Sequence, residues 1–455
     1  MQFQSIDPYD GRVHARFDVW DAGRIEQALA DAAGMFPLWR DTSLRRRAEL
    51  LARVGERLLM QRDELAEVMC AEMGKRLVEA RAEVEKSAWV CAYYAEQAEA
   101  FMADEPVHSG AGRSVVVHEP LGPVLAVMPW NFPLWQVFRF AAPALVAGNV
   151  GLLKHASNVP QCAVLIEDVI REAGVPADVF QTLMIRSGQV DAVVRDARVR
   201  AVSLTGSEPA GRAVARAAGE SLKKAVLELG GSDAFIVLED ADLAWTVERA
   251  VQSRFANAGQ SCIAAKRFLV VEAVADDFVA RLAEAVRALE PGDPRAPQTT
   301  LAPLARADLV SEIDAQVRDA LAQGARCVTG GTPLPALGPN FYAATVLEGI
   351  RPGMRAWEEE LFGPVALVTR VADEEEALSI ANGSRFGLGG SVWTRDVARG
   401  EALARRLTCG AAFVNDLVHS DPRLPFGGCK DSGYGRELSR HGLREFVNVK
   451  TLWVR

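Results

Sequence analysis

The feature that most constrains this chain is the alternation of short, wholly apolar runs with helical segments. "VLAVM", "VGLLK", "AVSLTG", "AVLELGG" and "AFIVLED" read as strands, and "CAVLIEDVIREAG" and "AGRAVARAAGE" lie between them as helices. Strands apolar on both faces must be covered on both faces, so the pattern predicts a parallel α/β sheet. A second alternating block runs from about 233 to 422, with helices near 241–257, 274–289 and 304–323 and strands at "GPVALVTRV" and "AAFVND". Upstream, from Arg45 to about Met102, the apolar residues recur at helical spacing and predict two long helices. "SVVVHEPLGPVLAVMPW" reads as a hairpin or a change of strand, and the tail "EFVNVKTLWV" as a strand lying beyond both blocks. That tail is expected to pair elsewhere, another subunit included.

At 455 residues the chain is too long for one simple core, and two or three domains are expected. The net charge of −9 argues against a nucleic-acid partner, which would need a basic face. Seven scattered cysteines, an odd number with no CxxC pair, argue against a disulfide framework or structural zinc and for a reducing compartment. The N-terminus shows no secretory pattern, and the longest apolar stretch is interrupted by Pro143, Gly148 and Asn149. A cytoplasmic protein without a membrane partner is expected.

Parallel sheets bind ligands at the carboxyl ends of their strands, so the residues following each strand carry the functional reading. Asn131 follows "VLAVM" in "PWNFPLWQVFR" and is either an amide donor or a helix N-cap. "HASNVP" and "SEPAG" are small, polar turns before helices, where free N–H groups and the helix dipole suit an anion. No GxGxxG is present, so an ordinary turn reads equally well there. Glu228, in "LELGGSD", ends an apolar strand before two glycines and is a candidate general base or a surface carboxylate. Cys262, in "ANAGQSCIAAKR", is either buried packing or a nucleophile. No histidine stands near it, so a thiolate there needs backbone N–H groups, a helix end or a cation.

Together "PWNFPLW", "TGSEPAG", "LELGGSD", "NAGQSC", "EEELFGPV" and "PFGGCKDSGYGRE" resemble the aldehyde dehydrogenase superfamily in order and spacing, and the chain looks closest to its compact bacterial succinate-semialdehyde dehydrogenase subgroup. The resemblance implies a Rossmann-type cofactor domain (1–227, with 105–125 contributing to a small β oligomerisation flap), an α/β catalytic domain (228–425), and a return of 426–455 to the cofactor domain and the oligomerisation strand. It implies a homodimer or homotetramer. It implies that Cys262 attacks an aldehyde carbonyl, that Asn131 and the Cys262 N–H hold the oxyanion, and that Glu228 activates the water that hydrolyses the thioester. It assigns NAD or NADP to Trp130, Lys154, Ser157, Gly206, Ser207, Glu360 and Phe362. Ser157 stands where NAD-preferring members carry a glutamate, and His155 where they carry a proline, so both cofactors are expected.

For the substrate, the resemblance matches Arg139 and Ser420 to the holders of a far carboxylate, and a guanidinium fork suits one. Trp135, Phe132 and Phe255 are expected to wall the aldehyde tunnel. A second arginine found in some relatives is replaced by Ala256, and Arg254 or Arg423 are the candidates to compensate. The implied reaction is oxidation of succinate semialdehyde to succinate. The alternatives are broader specificity for small or ω-carboxy aldehydes, a CoA-acylating enzyme, against which Glu228 counts, and a retired scaffold that only binds.

Overall fold

The computed structural model describes residues 2–455. Pro123–Val127, Val150–Lys154, Phe180–Thr182, Ala201–Thr205 and Lys224–Glu228 form one parallel sheet. The first of these strands sits centrally, with the second and third on one side and the fourth and fifth on the other; Gly433–Tyr434 adds antiparallel to the edge. The strand order therefore reverses between Pro123–Val127 and Ala201–Thr205. Ligands of doubly wound sheets bind at such a reversal, beyond the carboxyl ends.

A second sheet runs Arg326–Thr329, Thr345–Glu348, Val365–Val371, Ala265–Val271, Asp233–Val237, Gly389–Trp393, Ala411–Val414, parallel except for its first strand. Its central strands are buried along their whole length; Asp233–Val237 reads as a largely apolar run, while Ala265–Val271 also carries the buried Lys266 and Arg267. The expected helices occur as Leu243–Phe255, Glu272–Arg287 and Ala307–Ala322.

Two details differ from the sequence reading. The helical stretch that reads as two helices contains three, Leu44–Met60, Arg62–Met73 and Leu77–Met102, preceded by Ala22–Asp41. Gly74, at φ +73°, ends one of them in the left-handed conformation, and a Cβ there would lie 3.0 Å from Pro303. The "SVVVHEPLGPVLAVM" stretch is a change of strand. Arg113–Pro120 leaves for a three-stranded antiparallel sheet with Glu105–Pro106 and the tail strand Val447–Val454. The tail thus pairs within its own chain, Val447 opposite Pro120 and Val454 opposite Arg113. It is an edge strand, and Val449, Leu452 and Trp453 are exposed on it. Among the described residues no helix is long and apolar enough to cross a membrane, and all seven cysteines are free.

The helix Trp135–Ala147 carries the residues that follow the central strand. It has no N-cap side chain of its own. Glu83, from Leu77–Met102, supplies one instead: its Oε1 accepts from the N–H groups of Leu134 (2.9 Å) and Trp135 (3.0 Å). Its other oxygen pairs with the fully buried Lys75. A carboxylate at a helix N-terminus suits the dipole, and here it also neutralises a buried cation. Glu83→Ala leaves Lys75 uncompensated and is expected to lower stability by roughly 3–5 kcal/mol, read as a fall in the thermal unfolding midpoint; an unchanged midpoint would remove Glu83 as the anchor.

Candidate active site

Cys262 lies on an irregular turn between the helix Leu243–Phe255 and the strand Ala265–Val271. The turn is left-handed at Asn257 and Ala258 (both φ +53°) and at Gly259 (φ +75°). An alanine in that region is costly and persists only where its surroundings hold it. They do. The buried Arg254 donates to the carbonyl oxygens of Leu361 (3.0 Å) and Gly363, and Gly259 approaches the Gly363 carbonyl so closely that no Cβ fits. The buried Lys266 donates to the carbonyls of Ser261 (2.7 Å) and Cys262 (2.6 Å) and pairs with Glu360 at 3.1 Å. Asn257 donates to the carbonyls of Asn131 (2.9 Å) and Gln260 (3.1 Å).

Asn131 is not a helix cap. Its Nδ2 donates to the Gln260 carbonyl at 3.0 Å, and its Oδ1 accepts from Gln136 Nε2 at 3.2 Å. The amide is thus locked against the cysteine turn, with its donor end toward it. Two cavities meet at this place, and Cys262 and Gln136 line both. One, of about 380 Å³, opens over the strand-order reversal and is lined by Trp130, Asn131, Gly206, Ser207, Glu228, Glu360 and Phe362, among others. The other, of about 250 Å³, is largely apolar, with Phe132, Trp135, Ile263 and Phe426 in its wall.

Glu228 is buried, and neither carboxyl oxygen has a hydrogen bond from the chain. Burial, reinforced by the nearby Glu437, raises its pKa well above the ordinary 4.5, against the pull of Arg139 and Arg436. Gly427 leaves it room, since a Cβ there would lie 2.5 Å from Glu228 Oε1. Burial likewise holds the Cys262 thiol up at about 12, with Lys266 pulling the other way. Burial thus shifts both groups of this cavity toward their protonated forms.

The remaining residues separate into those the structure gathers and those it does not. Trp130 and Phe362 meet edge to face at 5.8 Å. Ser207 caps Glu208–Glu220 without using its hydroxyl and lines the larger cavity. Glu360 accepts from the Gly231 N–H at 3.1 Å. Lys154 ends its strand opposite Val127 but lines neither cavity; Ser157 borders a separate small hollow with His155 and Thr182. Arg139 lines the smaller cavity with its charge already engaged. It pairs with the buried Glu437, donates to Thr205 Oγ1 at 3.2 Å, and lies over the Phe426 ring at 4.7 Å. Phe132, Trp135 and Ser420 line that cavity, as does Ala256.

Phe255 does not wall it; the ring is buried in the core of the second sheet. Arg254 cannot stand in for an arginine at position 256, because its guanidinium is wholly buried on backbone carbonyls. Arg423 is paired with Asp421 at 2.6 Å. Sequence reasoning missed Gln136, Lys266, Glu437 and the cavity-lining Lys75 and Lys86, the former in the short link before the helix Leu77–Met102 and the latter on that helix, both far upstream with no local motif to mark them.

The position of Glu228 predicts a pH-dependent stability. A carboxyl whose folded pKa lies above its unfolded value holds its proton more tightly when folded, so it weakens the fold progressively as pH rises above about 4.5. Glu228→Gln, which cannot ionise, is expected to melt above wild type at pH 8, with the difference closing toward pH 4. Parallel melting curves at both pH values would contradict the buried, unpartnered state.

The aldehyde dehydrogenase family pattern matches residues 1–452. A Mycobacterium tuberculosis protein named succinate-semialdehyde dehydrogenase (NADP(+)) 1 is 49% identical over 457 residues, spanning 100% of both chains. The Escherichia coli (strain K12) protein named succinate semialdehyde dehydrogenase (NAD(P)+) Sad is 47% identical over 449 residues, covering 99% of this chain and 97% of its own. The crystal structure of succinic semialdehyde dehydrogenase from Streptococcus pyogenes in complex with NADP+ matches with a TM-score of 0.97 at 39% identity over 99% of each chain. Joined at full length by sequence and by fold, this chain belongs to the aldehyde dehydrogenase family.

Proposed function

We propose that the protein oxidises a small ω-carboxy aldehyde, succinate semialdehyde in the first instance, to the corresponding acid with NAD+ or NADP+. The observation that carries this reading is the place of Cys262: one thiol at the junction of a cavity over a doubly wound sheet and a cavity walled by aromatic rings and cations. The names of the relatives, which pair succinate semialdehyde with NADP(+) or NAD(P)+, agree with it.

The larger cavity fits a dinucleotide. It lies at the strand-order reversal, with the uncapped start of Glu208–Glu220 and the free Ser207 hydroxyl for phosphate oxygens. Trp130, Gly206, Glu360 and Phe362 would hold the nicotinamide-ribose end, with Lys154 and Ser157 farther along for the adenosine ribose. Nothing at Ser157 repels a 2′-phosphate. When bound, the oxidised nicotinamide supplies the hydride acceptor.

The chain's own groups do the rest. Cys262 Sγ bonds to the aldehyde carbon, forming a thiohemiacetal. Its proton leaves to solvent through the larger cavity, a step that the positive charge of the nearby Lys266 favours. The oxyanion falls to the Cys262 N–H and to the second N–H of Asn131 Nδ2, the first being given to the Gln260 carbonyl. Loss of hydride leaves a thioester on Cys262. Water then adds to its carbonyl carbon as the ionised Glu228, the carboxylate of that cavity not tied to a lysine, takes the proton; the thiolate leaves and recovers a proton from Glu228. The sum is aldehyde, NAD(P)+ and water giving acid, NAD(P)H and a proton. Glu228 favours water over CoA as the final acceptor.

The division into a cofactor part (1–227), a catalytic part (228–425) and a returning segment (426–455) follows the same reading. The addition of Gly433–Tyr434 to the first sheet and of Val447–Val454 to the third supports the last piece. We place the protein in the cytoplasm, as its free thiols suit, and assign homo-oligomer formation to the exposed edge of the tail strand.

NAD(P)H formation from succinate semialdehyde by purified protein tests the proposal. Cys262→Ala is expected to abolish turnover and Asn131→Ala to lower kcat by roughly 10²–10³. No reduction of either cofactor with succinate semialdehyde would reject it.

A further inference from the structure

The larger cavity suits a dinucleotide in shape and place, yet two of its lining side chains, Glu228 and Glu360, are carboxyl groups. Glu360 is matched by Lys266 from outside the lining. A diphosphate is anionic and needs a cation of its own. Among the described residues the lining contains one, Arg306.

Arg306 is placed by the cysteine turn. It follows Ala305, whose N–H donates to Gln260 Oε1 at 2.9 Å, and the carbonyl of that same Gln260 accepts from the amides of Asn131 and Asn257. Its guanidinium lies over the Trp130 ring at 5.4 Å, and Trp130 in turn meets Phe362. Trp130 follows the central strand Pro123–Val127, so the cation stands beside the strand-order reversal.

Its one ionic partner leaves half of the guanidinium open. Asp308 accepts from Nε at 2.9 Å and from Nη2 at 3.0 Å, which occupies a single edge. A guanidinium has five N–H groups, so three remain, two on Nη1 and one on Nη2. The pair is also exposed, 37% at Arg306 and 66% at Asp308, and so wet a pair holds its members weakly. A phosphate can take the open edge bidentately while Asp308 keeps the other. Ser207, at the uncapped start of Glu208–Glu220, lines the same cavity, and a helix start and a guanidinium together suit one diphosphate.

We infer that Arg306 binds the diphosphate of the cofactor. The inference rests on the reading of the larger cavity as the NAD(P) site and adds the side chain that matches the cofactor's charge there.

Binding to the enzyme without aldehyde tests it. NADPH fluorescence reports occupancy, with NADP+ and ADP as displacing ligands, in wild type, Arg306→Met and Arg306→Lys. In Arg306→Met the Kd of all three should rise about 10-fold at low salt. The gap from wild type should narrow in about 0.5 M salt, where exposed charges are screened. Arg306→Lys, which keeps the charge without the fork, should lose about threefold. Arg306→Gln repeats the test should Arg306→Met fail to fold. An unchanged Kd in the uncharged variants overturns the inference. A rise for NADPH with none for ADP removes the diphosphate as the group held, and a gap that salt does not narrow assigns the loss to packing on Trp130; either overturns it and leaves the cofactor site standing. A wild type that binds neither NADPH nor NADH sinks the cofactor reading itself, and this inference with it.

Discussion

The site depends on a short turn kept in a conformation it would not adopt alone. Residues 257–259 are left-handed, one of them an alanine, and the turn is clamped because Arg254 and Lys266 spend their charge on backbone carbonyls rather than on solvent. Both cations are fully buried, and an unsatisfied carbonyl there would be costly. The clamp decides where Cys262 stands. It also presents the Gln260 carbonyl, against which Asn131 is fixed, so nucleophile and amide are set by one element.

Around that turn the electrostatics divide the work. Lys75 with Glu83, Arg139 with Glu437 and Lys266 with Glu360 are matched pairs that hold helices and loops in register. Buried pairs of this kind add little net stability, but each is expensive to break. Glu228 and Lys86 are the exceptions, one on each side of Cys262. The first is a carboxyl whose affinity for a proton is raised by burial and the second an ammonium with no acidic group in ion-pair contact. Displaced protonation equilibria of this sort gather where chemistry or recognition is done.

Much of this was legible in the sequence, and the limits have physical causes. Most of the parallel strands could be read because burial on both faces leaves few polar positions in them; Ala265–Val271, which carries the buried Lys266 and Arg267, could not. The helix boundary at Gly74 could not, since the apolar spacing runs on through it and the glycine is called for by its left-handed φ and by the approach of Pro303. Cys262, Glu228 and Asn131 could be singled out as candidates because each follows or borders a readable element. The choice for Asn131 between cap and donor needed the Gln260 carbonyl, which sequence spacing does not place. Arg139 was read from its position alone; Glu437, which engages its charge, lies near the other end of the chain. Lys86 carries no signal at all in an amphipathic helix, where a lysine normally reads as solvated surface.

The central claim is that the Cys262 sulfur bonds to the substrate carbon and is freed by water that Glu228 activates. Intact-protein and peptide mass spectrometry of Glu228→Gln, mixed with succinate semialdehyde and NADP+ and quenched in acid, tests it most directly. The account predicts one added succinyl group, on the peptide that contains Cys262, together with one equivalent of NADPH. Formation of NADPH with no acyl group on Cys262, or an acyl group on another residue, would contradict it.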